Sequence, residues 1–239
     1  MSFKIYTKII LISLVFATWS CKKNNQFPVN EITCDLDYSA HPNHIKYQNI
    51  LDDYSQRGIT GLTVVISTPE NGYWTGSSGY SNIEDNQKMN PCHLHHTASL
   101  AKSFTGIVTL QLIEEGKLGI NDLIGQYLSE EIKSYVPNVE KLTVKHLLQQ
   151  TSGIPDVFDV DFFEALMNDP EATYTTTDFF AMIEGRPAQF EPGEKHQYAD
   201  LNFNLLALII DAIEGDHKKS FSDRIFTPLG LDDIYYHNE

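Results

Sequence analysis

HTASLAKSFTGIVTLQLIEEGKLGI, residues 96–120, sets a serine and a lysine three positions apart at the head of an apolar run. Apolar residues recur at Leu100, Phe104, Ile107, Val108, Leu110, Leu112 and Ile113, close to the spacing that buries one helical face, and Gly116 supplies the stop. The spacing predicts a helix over residues 99–115. Side chains three apart lie one turn up on the same face, so the Lys102 ammonium can fold back over the Ser99 hydroxyl. A serine hydroxyl is a weak nucleophile until a base takes its proton. A lysine serves as that base only where desolvation or a neighbouring cation makes the neutral amine accessible. Helix N-terminal N–H groups add to the effect, because they stabilise an alkoxide and the oxyanion that follows attack. Spacing alone is a weak signal: Ser20 and Lys23 fit the same pattern in a segment of different character.

A second constellation lies in FEPGEKHQYADLNFNLLALIIDAIEG, residues 190–215. A Pro-Gly turn leads to Tyr198 and then to a long amphipathic stretch, which predicts a helix over residues 200–214. A tyrosine beside a lysine and a serine can shuttle a proton to a leaving group, since the positive charge favours its phenolate. Asp200 shares that turn and is placed to hold Lys102 or to bind substrate. The plainer reading is an aromatic core residue followed by an Asp N-cap.

Between and around these blocks, the periodicity predicts helices over residues 44–57, 123–128, 143–150, 161–167, 177–184 and 218–226. GLTVVIST (61–68), a Pro-Glu-Asn-Gly turn and YWTGSSGYSN (73–82) predict a β-hairpin. The glycines and serines of that hairpin lack the G-x-S-x-G order of an α/β-hydrolase elbow, so that fold is disfavoured. His93, His95 and His96 invite a metal reading. No acidic or cysteine partner sits at matching spacing, so the segment reads as a loop feeding the Ser99 helix, and no metal or other cofactor is expected.

At 239 residues with 41% hydrophobic and 21% charged side chains, the chain can bury a full globular core. Its formal charge of -15 argues against nucleic acid as a partner, whose phosphates it would repel. MSFKIYTKIILISLVFATWSCKK opens with Lys4 and Lys8, continues with an apolar run too short to span a bilayer and ends in small residues before Cys21. Residues 1–20 read as a secretory signal. Its end resembles a bacterial lipoprotein signal, which implies lipidation at Cys21, a membrane anchor and a place in the bacterial envelope, periplasmic or outer-membrane-anchored; simple secretion is the alternative. Residues 21–42 are polar and aperiodic and read as a tether, leaving 43–239 as the folded domain. Such a compartment permits a disulfide between the two remaining cysteines, Cys34 and Cys92.

The order S-L-A-K, LIEEGKLGINDLI, TVKHLLQQTSGIPD, FEPGEKHQYAD and NLLALIIDAIEG resembles the serine β-lactamase-related family of class C β-lactamases, D-Ala-D-Ala carboxypeptidases and related esterases. The resemblance runs from about Gly61 onward. It implies an α+β fold, an antiparallel sheet packed with a helical domain. It also implies Ser99 as acylated nucleophile, Lys102 as its base, Tyr198 as second proton carrier and Asp200 at a substrate-binding position. The family's Y-x-N ends in Asn, whereas Asp200 keeps an acceptor and loses the amide donors. A perfect Tyr80-Ser81-Asn82 lies on the hairpin, ahead of the serine helix, and reads as a decoy. The family's third motif, Lys or His, a small residue, then Gly, has no counterpart after Tyr198, so the expectation is a family member lacking its C-terminal part. The sequence admits three readings: an envelope serine hydrolase acting through an acyl-enzyme on a β-lactam, a D-amino-acid peptide or an ester; a non-catalytic penicillin-binding or sensor domain; and an inactive truncated relative.

Overall fold

The computed structural model describes residues 34–236, which divide into two compact units, one up to His93 and one from Leu94 onward. Residues 1–33, including the segment read as a signal, Cys21 and most of the tether, lie outside the described residues.

In the first unit helix α1 (His44–Gln56) packs on an antiparallel sheet of β1 (Gly61–Thr68), β2 (Gly72–Asn82) and a two-residue β3 (Gln87–Lys88), in that order. The hairpin is in register from Gly61 opposite Gly79 to Thr68 opposite Gly72. Its anchor is Trp74, fully buried, whose indole N–H donates to His44 Nδ1 at 3.2 Å while the Tyr47 ring lies 5.2 Å away. Gly76 leaves room for that indole: a Cβ there would stand 2.5 Å from the Trp74 ring. Asp52 ties helix to sheet by accepting from Ser78 Oγ (2.8 Å) and Gln48 Nε2 (2.9 Å). Cys34 is disulfide-bonded to Cys92, so the described end of the expected tether is fastened to this unit. The sequence reading omitted β3, whose two residues are too few to show a period. The decoy triplet sits at the β2–β3 turn and its side chains are engaged there: Lys88 Nζ lies 3.7 Å from the Tyr80 ring centre, and Asn82 Nδ2 donates to Asp85 at 2.9 Å.

The second unit is helical, built around α2 (Ala101–Glu114) and α7 (Leu201–Glu214). Between them, in chain order, come α3 (Glu130–Tyr135), α4 (Val144–Leu148), α5 (Val160–Asn168) and α6 (Thr176–Ala181). Leu205, Leu206, Ile209 and Ile210 of α7 share one core with Val108 and Leu112 of α2 and with Val144 and Leu147 of α4, all fully buried. The buried face of α2 is narrower than its apolar content implies. Thr105, Val108, Thr109 and Leu112, at helical spacing, face inward, whereas Leu100, Ile107 and Leu110 are exposed. Thr109 tolerates burial because its hydroxyl donates to the Thr105 carbonyl at 2.7 Å.

Thr143 caps α4 with a capping box that it closes with His146, and Ser129 caps α3, a helix the sequence reading missed because six residues show barely two turns. The single helix expected over residues 218–226 is broken into α8 (His217–Phe221), a π-helical turn (Ser222–Phe226) and the short helical piece Thr227–Leu229.

Candidate active site

Ser99 lies in a 3-10 turn, Ala98–Leu100, that runs directly into α2, so the expected helix begins as a tighter turn. The residue before it, Ala98, has φ of 45°, a left-handed conformation that costs an L-residue with a Cβ roughly 1–2 kcal/mol. Strain of this kind clusters where a backbone is made to present a group. One turn on, the Lys102 ammonium donates to Ser99 Oγ at 3.4 Å.

Tyr198 arrives from about a hundred positions away and is placed by a backbone template. Residues 150–153 run beside the loop that follows α6: the N–H groups of Gln189, Gly193 and Gln197 donate to the carbonyls of Gly153 (2.9 Å), Thr151 (2.8 Å) and Gln150 (2.9 Å). Gly153 is required here, since φ is 77° and a Cβ would stand 2.2 Å from the Phe190 carbonyl oxygen. Gln150, itself left-handed at φ 57° and buried, accepts through Oε1 from the Ala199 N–H at 3.0 Å and from the Asn202 amide. Asp156 Oδ1 accepts from the Asp200 N–H at 3.4 Å. Gln150 and Asp156 thus bracket the Tyr-Ala-Asp triplet. In the sequence their segment is a helix stop and, within TVKHLLQQTSGIPD, one block of the family resemblance, and neither residue is marked there as part of the site.

The four expected residues come together. Ser99 Oγ and Tyr198 Oη share a hydrogen bond of 2.8 Å, and Tyr198 Oη donates to Asp200 Oδ1 at 3.0 Å. The Lys102 ammonium pairs with the same Asp200 oxygen and lies 5.1 Å from the centre of the Tyr198 ring. Asp200 occupies the N-cap position of α7, yet its side chain caps nothing in that helix; it is turned to Lys102 and Tyr198. Lys102 and Asp200 are mostly buried, while Ser99 and Tyr198 are open to solvent. Partial burial favours a neutral Lys102 amine, but hydrogen bonds and charge from Asp200 and Tyr198 outweigh it and hold the Lys102 pKa above the ordinary lysine value. The resting lysine is therefore an ammonium, a cation beside two hydroxyls at a helix start.

Among the described residues, Asp211, Asp216 and His217 bring donor atoms close enough together for a metal ion. His217 already uses Nδ1 on Asp211 (2.8 Å) and Nε2 on Tyr236 (2.8 Å), so the cluster reads as a hydrogen-bonded clasp.

Comparison with known proteins bears on the family and the fold. A family model described as Beta-lactamase matches residues 47–239. Protein flp of Staphylococcus aureus (strain MW2) is 30% identical over 184 residues, 76% of this chain and 36% of the relative. Penicillin-binding protein 4* of Bacillus subtilis (strain 168) is 30% identical over 194 residues, 80% of this chain and 41% of the relative. Among solved structures, the D-amino acid amidase from Ochrobactrum anthropi SV3 complexed with L-phenylalanine superposes with a TM-score of 0.67 at 25% identity, covering 78% of this chain and 50% of the amidase. The chain thus spans between about a third and a half of the length of these relatives. With an α+β fold shared with the amidase and a family model covering most of its length, the chain belongs to the beta-lactamase family.

Proposed function

We propose that this chain is a serine hydrolase that forms an acyl-enzyme on Ser99, with a β-lactam, a small D-amino-acyl amide or peptide, or an ester as substrate. The observation that carries the reading is the 2.8 Å contact between Ser99 Oγ and Tyr198 Oη, with the Lys102 ammonium 3.4 Å from the same oxygen. Ser99 attacks the carbonyl. Tyr198 takes its proton, and Lys102 stays cationic and stabilises the charge that develops on both oxygens. The assignment of Lys102 as cation follows from its pairing with Asp200, which opposes the neutral amine. A D-configured amino-acyl substrate is supported by the likeness to the D-amino acid amidase.

The test is intact-mass analysis and peptide mapping after exposure to a fluorophosphonate or a reactive β-lactam. A single adduct on Ser99 is the expected result, and an adduct on Ser103 or another serine with Ser99 free would overturn the assignment.

The envelope location extends the same proposal. The Cys34–Cys92 disulfide supports an oxidising compartment, where such bonds persist. Labelled fatty acid should enter the full chain and be lost in Cys21→Ala; equal incorporation in that variant would remove the anchor.

A further inference from the structure

We propose that the Asp200 carboxylate is the terminal acceptor of the Ser99 proton, received through the Tyr198 hydroxyl. The inference rests on the reading of Ser99 as nucleophile and adds to it a direction of proton flow. Tyr198 has one hydroxyl proton, and at 3.0 Å it is donated to Asp200 Oδ1. The 2.8 Å bond to Ser99 must then be donated by Ser99. Lys102 has only donors and supplies them to Ser99 Oγ and Asp200. The protons of the site are therefore ordered in one sense, from serine to tyrosine to carboxylate.

Three further observations fit an acceptor rather than a structural cap. Asp200 spends nothing on capping α7. Its side chain is 21% exposed, so the carboxylate is not sealed from solvent. Its backbone N–H is held by Asp156, which fixes the carboxylate while leaving both its oxygens to the site. Among the described residues, Lys102 and Tyr198 are the ionisable groups hydrogen-bonded to the carboxylate, while Asp156 accepts from the backbone N–H.

The step balances. The Ser99 Oγ lone pair forms a C–O bond to the substrate carbonyl carbon, and the carbonyl π pair moves onto its oxygen. In the same step the serine proton passes to Tyr198 Oη and the tyrosine proton to Asp200 Oδ1. On collapse the C–N or C–O bond of the leaving group breaks, and the departing atom takes a proton back along the same chain. An amide in place of Asp200 can accept a hydrogen bond from Tyr198 but cannot keep its proton.

The experiment is the pH dependence of Ser99 fluorophosphonate labelling in the full chain for wild type, Asp200→Asn and Asp200→Glu, with circular dichroism as the check on folding. Wild-type labelling should show an acid limb and be level near neutral pH. Asp200→Asn should label roughly 10²–10⁴ times more slowly near neutral pH, lose that acid limb and gain rate only towards the lysine range, where Lys102 can replace the missing acceptor. Asp200→Glu should recover at least part of the lost rate and bring the acid limb back, and it decides the matter if the amide variant is unfolded. Asp200→Asn labelling at the wild-type rate, or more slowly with an unchanged pH profile, would overturn the proposal. A wild type that fails to label at any pH removes the reading of Ser99 and this inference with it, a different result from either of those.

Discussion

Ser99, Lys102, Tyr198 and Asp200 each have a commonplace alternative use, and the proposed use rests on the geometry of each side chain in turn. Tyr198 is 43% exposed, so it is not the core aromatic that its neighbourhood suggests, and its hydroxyl is within reach of both an acid and a nucleophile. Replacing it with Phe keeps the ring and deletes the hydroxyl. Ser99 labelling should then fall roughly 10²–10⁴-fold, while the thermal midpoint stays close to wild type because little packing is lost. Labelling kinetics and a melting curve on the same preparation check both halves, and undiminished labelling would leave Tyr198 a bystander. The Lys102–Asp200 pair also carries a sign for pH. Its lysine pKa is raised, so its contribution to stability is whole below the ordinary lysine value and is lost as pH rises through the higher folded value.

At the level of elements, the site depends on a pairing of two loops as much as on α2. The Gly153 backbone holds the Gln189 N–H and lies against the Phe190 carbonyl, and the same template continues through Thr151 and Gln150 to the residue before Tyr198. Gly153→Ala forces a Cβ into a left-handed position already filled by a carbonyl oxygen. A destabilisation of at least about 1–2 kcal/mol is expected from the backbone alone. Denaturant titration measures it. The loop shift should also slow Ser99 labelling, whereas Gly116→Ala, equally left-handed but with open space around it, should lose stability without slowing the label. Equal effects of the two variants on labelling would show that the template does not position Tyr198.

Across the helical unit as a whole, one guanidinium joins the ends of its two central helices. Glu115 follows α2 and Glu214 ends α7, each at the negative pole of its helix, where a carboxylate is unfavourable. Arg224, presented by the π-helical turn, donates to Glu115 through Nη1 (2.6 Å) and Nη2 (3.0 Å) and to Glu214 through Nε (2.8 Å). Its hydrogen bonds are the main reason that both carboxyl groups are held down at about 2. Because those values are depressed, the contribution is complete above the ordinary glutamate value of 4.5 and disappears as pH falls through about 2. Arg224→Met should lower the urea midpoint near neutrality, with the gap to wild type closing between those two values. Urea midpoints across that acid range test it; a gap independent of pH would mean that the arginine acts by packing alone.

What the sequence determined by itself is what is local. The Ser99–Lys102 spacing, the hairpin and the α7 amphipathy all lie within a few residues, where the helical and strand periods operate, and each is found close to where those periods put it. The order of blocks along the chain sufficed for the family. Three matters were left to tertiary structure because they depend on atoms far apart in sequence: whether Cys34 and Cys92 come close enough to bond, which face of an apolar-rich α2 is buried, and how Tyr198 meets Ser99 across ninety-nine positions. Gln150 shows why. Nothing in its type or spacing marks it, yet once two loops are paired its one buried side-chain oxygen accepts from the Ala199 N–H between Tyr198 and Asp200. Asp200 is the complementary case, since a helix cap and a proton acceptor look alike in sequence. Only the direction in which its carboxylate turns, away from the α7 backbone and toward a lysine and a tyrosine, separates the two.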